Sequence, residues 1–183
     1  MIRSLVALLL LASPLAAVEV SGKAIPDVAT VGTTSVPLCG AALLKYKWVI
    51  SLYVAGLYVP AGTAATPAAA VAVTPKRLLM SYARDIPREK MVEATDSTIG
   101  NGLTEAQRTA LQPSLTAWNA LYPAPRENDV LTFDHLPGGV LIMSRNGTEV
   151  GRLTDEAFAQ ALFAIWIGDQ PVKESLRDTL IGK

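Results

Sequence analysis

Histidine and cysteine are nearly absent, His135 and Cys39 being the only examples in 183 residues. A lone cysteine excludes an intramolecular disulfide. Zinc sites of the usual kind and Ser–His or Cys–His nucleophilic pairs draw on clusters of these residues that the chain lacks. No metal and no cofactor is therefore expected. Cys39 reads as a small buried apolar side chain rather than a reactive thiol, and His135 as a solvated turn residue. An excess of one charge is missing too: 16 basic residues balance 16 acidic ones, which leaves no electrostatic footprint for nucleic acid.

A membrane-spanning run is also lacking. The apolar stretch Leu5–Leu11 falls far short of the roughly 20 residues that a bilayer span needs. Arg3 precedes it and Leu15-Ala16-Ala17 follows with small residues, the layout of a secretory leader. Residues 1–17 are expected to be removed as a signal peptide, with an uncleaved anchor the weaker reading. Residues 18–183 then form one exported domain, periplasmic in a bacterium, whose oligomeric state the sequence leaves open.

What the chain does carry is strand-like alternation. In Gly40–Val59, Tyr46, Trp48, Ile50, Leu52 and Val54 fall on one face at period two, and Lys45, Lys47, Ser51 and Tyr53 on the other. The first face is expected to be core, the second a site or solvent. A hairpin at Lys45-Tyr46-Lys47 and one long bent strand both fit, and Gly40 suits a bulge or a close approach of backbone. Short strands are expected at Val18–Val20 and Val28–Val31 before it and at Arg77–Ala83 after it. Between lies an alanine-rich segment, 64–73, that is either a short helix or an ordered loop.

Asp85 followed by Pro87 signals a helix start with a capping carboxylate, its inward face carrying Met91, Thr95 and Ile99. Thr104 and Gln107 match a capping box for a second helix, which Pro113 is expected to interrupt before Ser114–Tyr122 resumes. From Asp129 onward, three alternating runs separated by Pro137-Gly138-Gly139 and Asn146-Gly147 predict a β-meander. Turn chemistry explains Asn146 without the glycosylation sequon that Asn146-Gly147-Thr148 also spells. Asp129 and Asp134 are placed at solvated positions with no acid–base work. Thr154 is expected to cap a nearly enclosed helix ending at Ile167, with Trp166 in the core or a cleft wall, and Lys173–Ile181 to form a last helix. The sum is an α+β domain, a mostly antiparallel sheet with helices on one side.

Several of these segments, in this order, resemble the bacterial chalcone isomerase-like proteins. They are Gly40–Lys45 running into Tyr53-Val54-Ala55-Gly56-Leu57-Tyr58, the Arg84-Asp85-Ile86 step, and Phe158–Gly168 followed by Pro171. The resemblance spans nearly the whole chain beyond the leader. It implies an open-faced β-sandwich of the chalcone isomerase type, a large antiparallel sheet layered with helices and a ligand cleft between them. True chalcone isomerases hold the substrate oxyanion with an arginine near the start of the long strand, a threonine along it, and a tyrosine and an asparagine on a helix. By that resemblance Lys45 stands at the arginine position and Tyr53 at the threonine, while Pro87–Ala94 holds neither tyrosine nor asparagine. No catalytic residue is assigned.

Fatty-acid-binding members of the superfamily grip a carboxylate with an arginine and a tyrosine on this strand. The resemblance therefore implies Lys45 and Tyr53 as ligand contacts; Arg84, beside Asp85, is a further candidate, or else an ion-pair or helix-start anchor. The expected function is that of an exported, non-catalytic protein binding a small amphipathic anionic ligand such as a fatty acid. The alternatives are an isomerase (intramolecular lyase) acting on a chalcone-like enone, with Lys45 and Tyr53 as oxyanion donors, and a structural or partner-binding protein with no ligand.

Overall fold

A computed structural model describes residues 16–183. The expected leader lies outside the described residues except for its last two: Ala16 accepts the Asp27 N–H through its carbonyl, and Ala17 opens the first hairpin opposite Pro26. That hairpin joins β1 (Ala17–Val20) to β2 (Lys23–Pro26). A seven-stranded sheet follows, made of β3 (Val28–Val31), β4 (Thr34–Tyr46), β5 (Ile50–Tyr58), β6 (Lys76–Tyr82), β7 (Val130–Leu136), β8 (Val140–Arg145) and β9 (Thr148–Thr154). Strand order follows chain order throughout and every pairing is antiparallel. The expected three-stranded meander is thus the end of a longer one. Its Asn146-Gly147 turn has positive φ at both positions, which this residue pair tolerates.

Five helices are described. α1 (Pro67–Ala72) settles the alanine-rich segment as a helix, capped by the Thr66 hydroxyl. α2 (Arg88–Thr98) and α3 (Glu105–Leu121) fill the long connection from β6 to β7, and α4 (Glu156–Ile167) and α5 (Glu174–Leu180) close the chain. Thr104 and Gln107 form the expected capping box. Three local expectations need correcting. α2 has Pro87 at its N-cap and no side-chain cap, because Asp85 accepts the Glu127 N–H instead. α3 runs unbroken through Pro113: both Pro113 and Thr109, whose carbonyl loses its partner, face solvent, so water can replace the missing hydrogen bond. The cap of α4 is Asp155, not Thr154; its Oδ1 accepts the Phe158 N–H, while Oδ2 accepts the Ser114 hydroxyl of α3.

The Gly40–Val59 stretch is a hairpin, turning at Lys47-Trp48-Val49. This revises the reading of its two faces. Tyr46 and Trp48, assigned to the core face, stand at the tip in solvent. Tyr53, Ala55 and Leu57, on the face that looked polar, enter the larger core together with Leu78, Met80 and Tyr82 of β6 and the inner faces of the helices. The opposite parity, Val54, Tyr58 and Leu79, packs with Ile25, Val31 and Val36 beneath the first hairpin. Both faces of the sheet centre are therefore covered. α4 is enclosed as its wide apolar surface required, and full burial of a side chain such as Phe158 contributes about 2 kcal/mol.

Gly40 marks both a register shift in β4 and the place where α5 touches the sheet backbone; a Cβ there would overlap the Thr179 carbonyl oxygen and approach that of Leu180 to 2.9 Å. Neither neighbour is a flexible side-chain end. Gly40→Ala should therefore lower stability by about 3 kcal/mol, read as a reduced urea midpoint with an unchanged far-ultraviolet spectrum. An unchanged midpoint would show that α5 does not sit there.

Candidate functional site

The parity of β5 and β6 aims two phenols into the space between sheet and helices. Tyr53 pairs across the sheet with Leu44 on one side and Tyr82 on the other, and the two tyrosine rings lie 5.4 Å apart. From α4, Trp166 donates its Nε1–H to the Tyr53 hydroxyl at 2.8 Å. Lys45 is elsewhere. It is exposed at the end of β4, opposite Ser51 and past a register shift at Leu44/Lys45, so it and Tyr53 sit on adjoining strands rather than along one. Arg84 is exposed beyond the end of β6. The structure brings Tyr53 together with Tyr82 and Trp166, and brings neither Lys45 nor Arg84 into hydrogen-bond contact with it.

Hydrogen-bond direction separates the buried hydroxyls into two kinds. Trp118 donates to the Tyr122 hydroxyl at 3.3 Å. Thr95 donates to the Met91 carbonyl at 3.0 Å, which leaves its oxygen to accept from Tyr122 at 2.9 Å. That chain is complete. An indole N–H only donates, so Tyr53 must accept from Trp166, and its own proton meets no acceptor among the described residues. Tyr82 reaches only the Met91 sulfur, a weak acceptor at 3.5 Å. Two phenolic protons thus point into an apolar interior without good partners. Burial pushes both phenols well above their ordinary range, and Tyr122 up to about 12, so all three stay neutral donors at physiological pH.

A second polar cluster lies further along the same sheet and was missed in the sequence. Lys76 and His135, paired across β6 and β7, are both fully buried. The Lys76 ammonium donates to the carbonyls of Val71 (2.6 Å) and Val73 (2.8 Å), where α1 ends, and to His135 Nδ1 at 2.8 Å. His135 must then carry its proton on Nε2, which donates to Glu156 at 3.2 Å at the start of α4. The Lys76 Nζ also sits 4.8 Å from the Phe163 ring centroid. Burial drives the lysine down to about 7, partly opposed by the Glu156 charge, and burial with the Lys76 charge lowers His135. His135 is therefore not a solvated turn residue. Parity carried the signal: Lys76 is in step with Leu78 and Met80, and His135 with Leu131 and Phe133, all of them core residues.

The placement of the two aspartates is corrected likewise. Asp134 lies within β7 and takes a bidentate ion pair from Arg77, both contacts 2.6 Å. Asp129 is buried, and the Arg126 N–H, Asn146 and Arg145 hold its carboxyl down to about 2. Both have structural partners that account for them. Cys39, half-buried on β4, packs against the core, and burial raises its thiol.

A cleft of about 300 Å³ opens between α1, the 98–102 turn and α4. Its walls are small and apolar, with Ala68, Val71 and Ala164, and its rim carries Asn101 and Gln170. Ile99 and Ile165 belong both to this wall and to the core around Tyr53. Among the described residues no group of three or more His, Cys, Asp or Glu could hold a metal ion, and no helix is long and apolar enough to cross a membrane.

Comparison with known proteins gives two results. A family model described as chalcone isomerase-like matches residues 17–182. Among solved structures, the chain is similar to the crystal structure of a fatty-acid binding protein from Arabidopsis thaliana, with a TM-score of 0.65 over 88% of this chain and 93% of that one, at 16% identity. At that identity the likeness shows the fold, an α+β arrangement of a curled antiparallel sheet with helices. No match is found among curated proteins.

Lys76 gives the protein a pH signature. Its value near 7 lies below its ordinary 10.5, so between these limits the unfolded chain holds a proton that the folded chain has released. Stability from this group must rise with pH across that window and stay level below it. In urea melts, wild type should gain on Lys76→Met as pH increases from 7 towards 10.5. A constant difference over that range would show that Lys76 does not change charge there.

Proposed function

The chain belongs to the chalcone isomerase-like family, and on that premise we propose that it is a non-catalytic carrier of a small amphipathic ligand such as a fatty acid. The observation that carries this reading is the pair of phenolic protons, on Tyr53 and Tyr82, left without good acceptors between sheet and helices. A buried donor with no acceptor costs about 1–3 kcal/mol, which a ligand oxygen placed between the two hydroxyls would recover. The apolar surroundings suit a hydrocarbon tail. α2 is the element that yields. Thr95 is its one buried residue, and its Met91 offers the flexible side chain over Tyr82. Lys45, exposed one residue past the Leu44 that faces Tyr53, is assigned the outer charge for a carboxylate. The fold neighbour from Arabidopsis, named for fatty-acid binding, supports the same ligand class. The apolar Leu5–Leu11 run and the small residues before position 18 support export to the periplasm as part of the proposal.

The same two phenols favour a second reading, as donors to a developing oxyanion in an isomerase acting on a chalcone-like enone. Turnover of a chalcone panel above the buffer rate, lost in Tyr53→Phe, is the result that would favour it.

Native mass spectrometry of protein purified from its own compartment should show a bound lipid-sized ligand. Tyr82→Phe should weaken fatty-acid binding about fivefold to tenfold, the worth of one buried hydrogen bond, while leaving stability within about 0.5 kcal/mol of wild type. Tyr53→Phe should weaken binding similarly but also cost about 1 kcal/mol of stability, because it strands the Trp166 N–H. Lys45→Ala should reduce affinity for carboxylates more than for neutral analogues. Protein that is empty as isolated and takes up no fatty acid would sink the carrier reading.

A further inference from the structure

Two hairpin turns in this sheet share a pair of successive positive-φ residues but not a chemistry. Asn146 and Gly147 have φ of 51° and 80°; Lys47 and Trp48 have φ of 47° and 66°, in a turn closed by the Val49 N–H to the Tyr46 carbonyl. The first turn uses the residues that positive φ prefers, and the second uses two that it disfavours, one of them a tryptophan. Turn formation does not explain Lys47-Trp48. Their surroundings do.

Trp48 is 79% and Val49 77% exposed, Tyr46 is half-exposed beside them, and exposed Val172 precedes Lys173, whose Nζ lies 4.4 Å from the centre of the Trp48 ring. These four are most of the exposed large apolar side chains among the described residues, gathered at one end of the molecule. Around them stand Lys45, Lys47 and Lys173, and residues 45–49 contain no acid, in a chain whose basic and acidic residues balance overall. Glu174 is the acidic residue next to the patch in sequence.

We propose that this hairpin tip docks the protein on a phospholipid bilayer that displays anionic headgroups. Trp48 and Val49 enter the interface, where tryptophan and tyrosine rings are favoured, and the three lysines meet the headgroup charge. A protruding turn suits a lipid surface, which accepts a single inserted point. A protein partner would need a face of roughly 800 Å². The surface shares Lys45 with the rim of the proposed ligand site but includes neither phenol, and it holds whether or not the interior takes a ligand.

The test reads Trp48 directly, because the other two of the three tryptophans, Trp118 and Trp166, are buried. The full chain is titrated with vesicles of phosphatidylcholine alone and of phosphatidylcholine with phosphatidylglycerol. The anionic vesicles should shift Trp48 emission to the blue, brominated lipid should quench it, and Trp48→Phe should abolish the shift. Lys47→Ala should weaken partitioning about fivefold, and raised salt should weaken it further. The double variant Lys47→Asn, Trp48→Gly puts the preferred turn pair at the tip, so it should fold at least as stably as wild type and lose vesicle binding. Three results would overturn the proposal: no emission change on anionic vesicles, undiminished binding by the double variant, or Trp48-dependent self-association in sedimentation with no vesicle binding.

Discussion

Eight of the twelve side chains of α4 are buried between the sheet and the other helices, and removing that surface from water is what binds the layers to one another. Around it, Trp118 and Phe133 meet edge to face at 5.3 Å, Phe133 and Trp166 at 5.9 Å, and Phe158 closes on Trp118 at 6.1 Å. Several neighbours are tied to this helix. α3 is tied to its start by Ser114 and Asp155, α1 lies along it, and β6 and β7 reach it through Lys76, His135 and Glu156. Small residues at Ala161 and Ala164 let α1 approach and leave the neighbouring cleft.

The polar groups inside this apolar frame are what give it specificity. A charge in the interior is tolerated only when its donors and acceptors are matched, and Lys76 meets that condition with three acceptors. The consequence is positional. α1 has a single fully buried residue, Ala70, with Val71 and Val73 half-buried against the core, and the meeting of its last carbonyls with the ammonium sets where it ends. Tyr53 and Tyr82 are the contrast: Tyr53 accepts from Trp166 but has no acceptor for its own proton, and Tyr82 has only the weak sulfur acceptor of Met91. In a well-packed interior that imbalance is costly, whereas the Tyr122 chain carries no such cost.

Much of the frame was legible in the sequence because it follows from short-range rules. Asn146-Gly147 specifies a tight turn, Thr104 and Gln107 cap their own helix, and the width of the α4 stripe announces burial on several sides. Tyr53 was reached through the family pattern around it, while Tyr82, Tyr122 and Thr95 were not, since nothing local marks a tyrosine whose partner lies on another element. Residue type misled where partners are distant. His135, Asp129 and Asp134 look like surface residues of a turn, and become interior only because Lys76, Arg145 and Arg77 reach them from other strands or from across a turn.

Sequence alone carried the end meander, the capping box of α3 and the enclosed last long helix, because periodicity, caps and turn residues act within a few positions of the chain. The family came from a resemblance of segments. The strand β2, where a break at Ile25-Pro26-Asp27 was expected, and the helix α1 became definite only in the fold. Only the tertiary structure decided which face of the Gly40–Val59 hairpin is interior. A bulge at Leu44/Lys45 and a second covered face of the sheet set that choice, and both depend on contacts far away in sequence. The same holds for the phenols. Whether a buried hydroxyl has an acceptor for its proton is a matter of what α2 and α4 place within 3 Å or so of it, and no local pattern of residues encodes that.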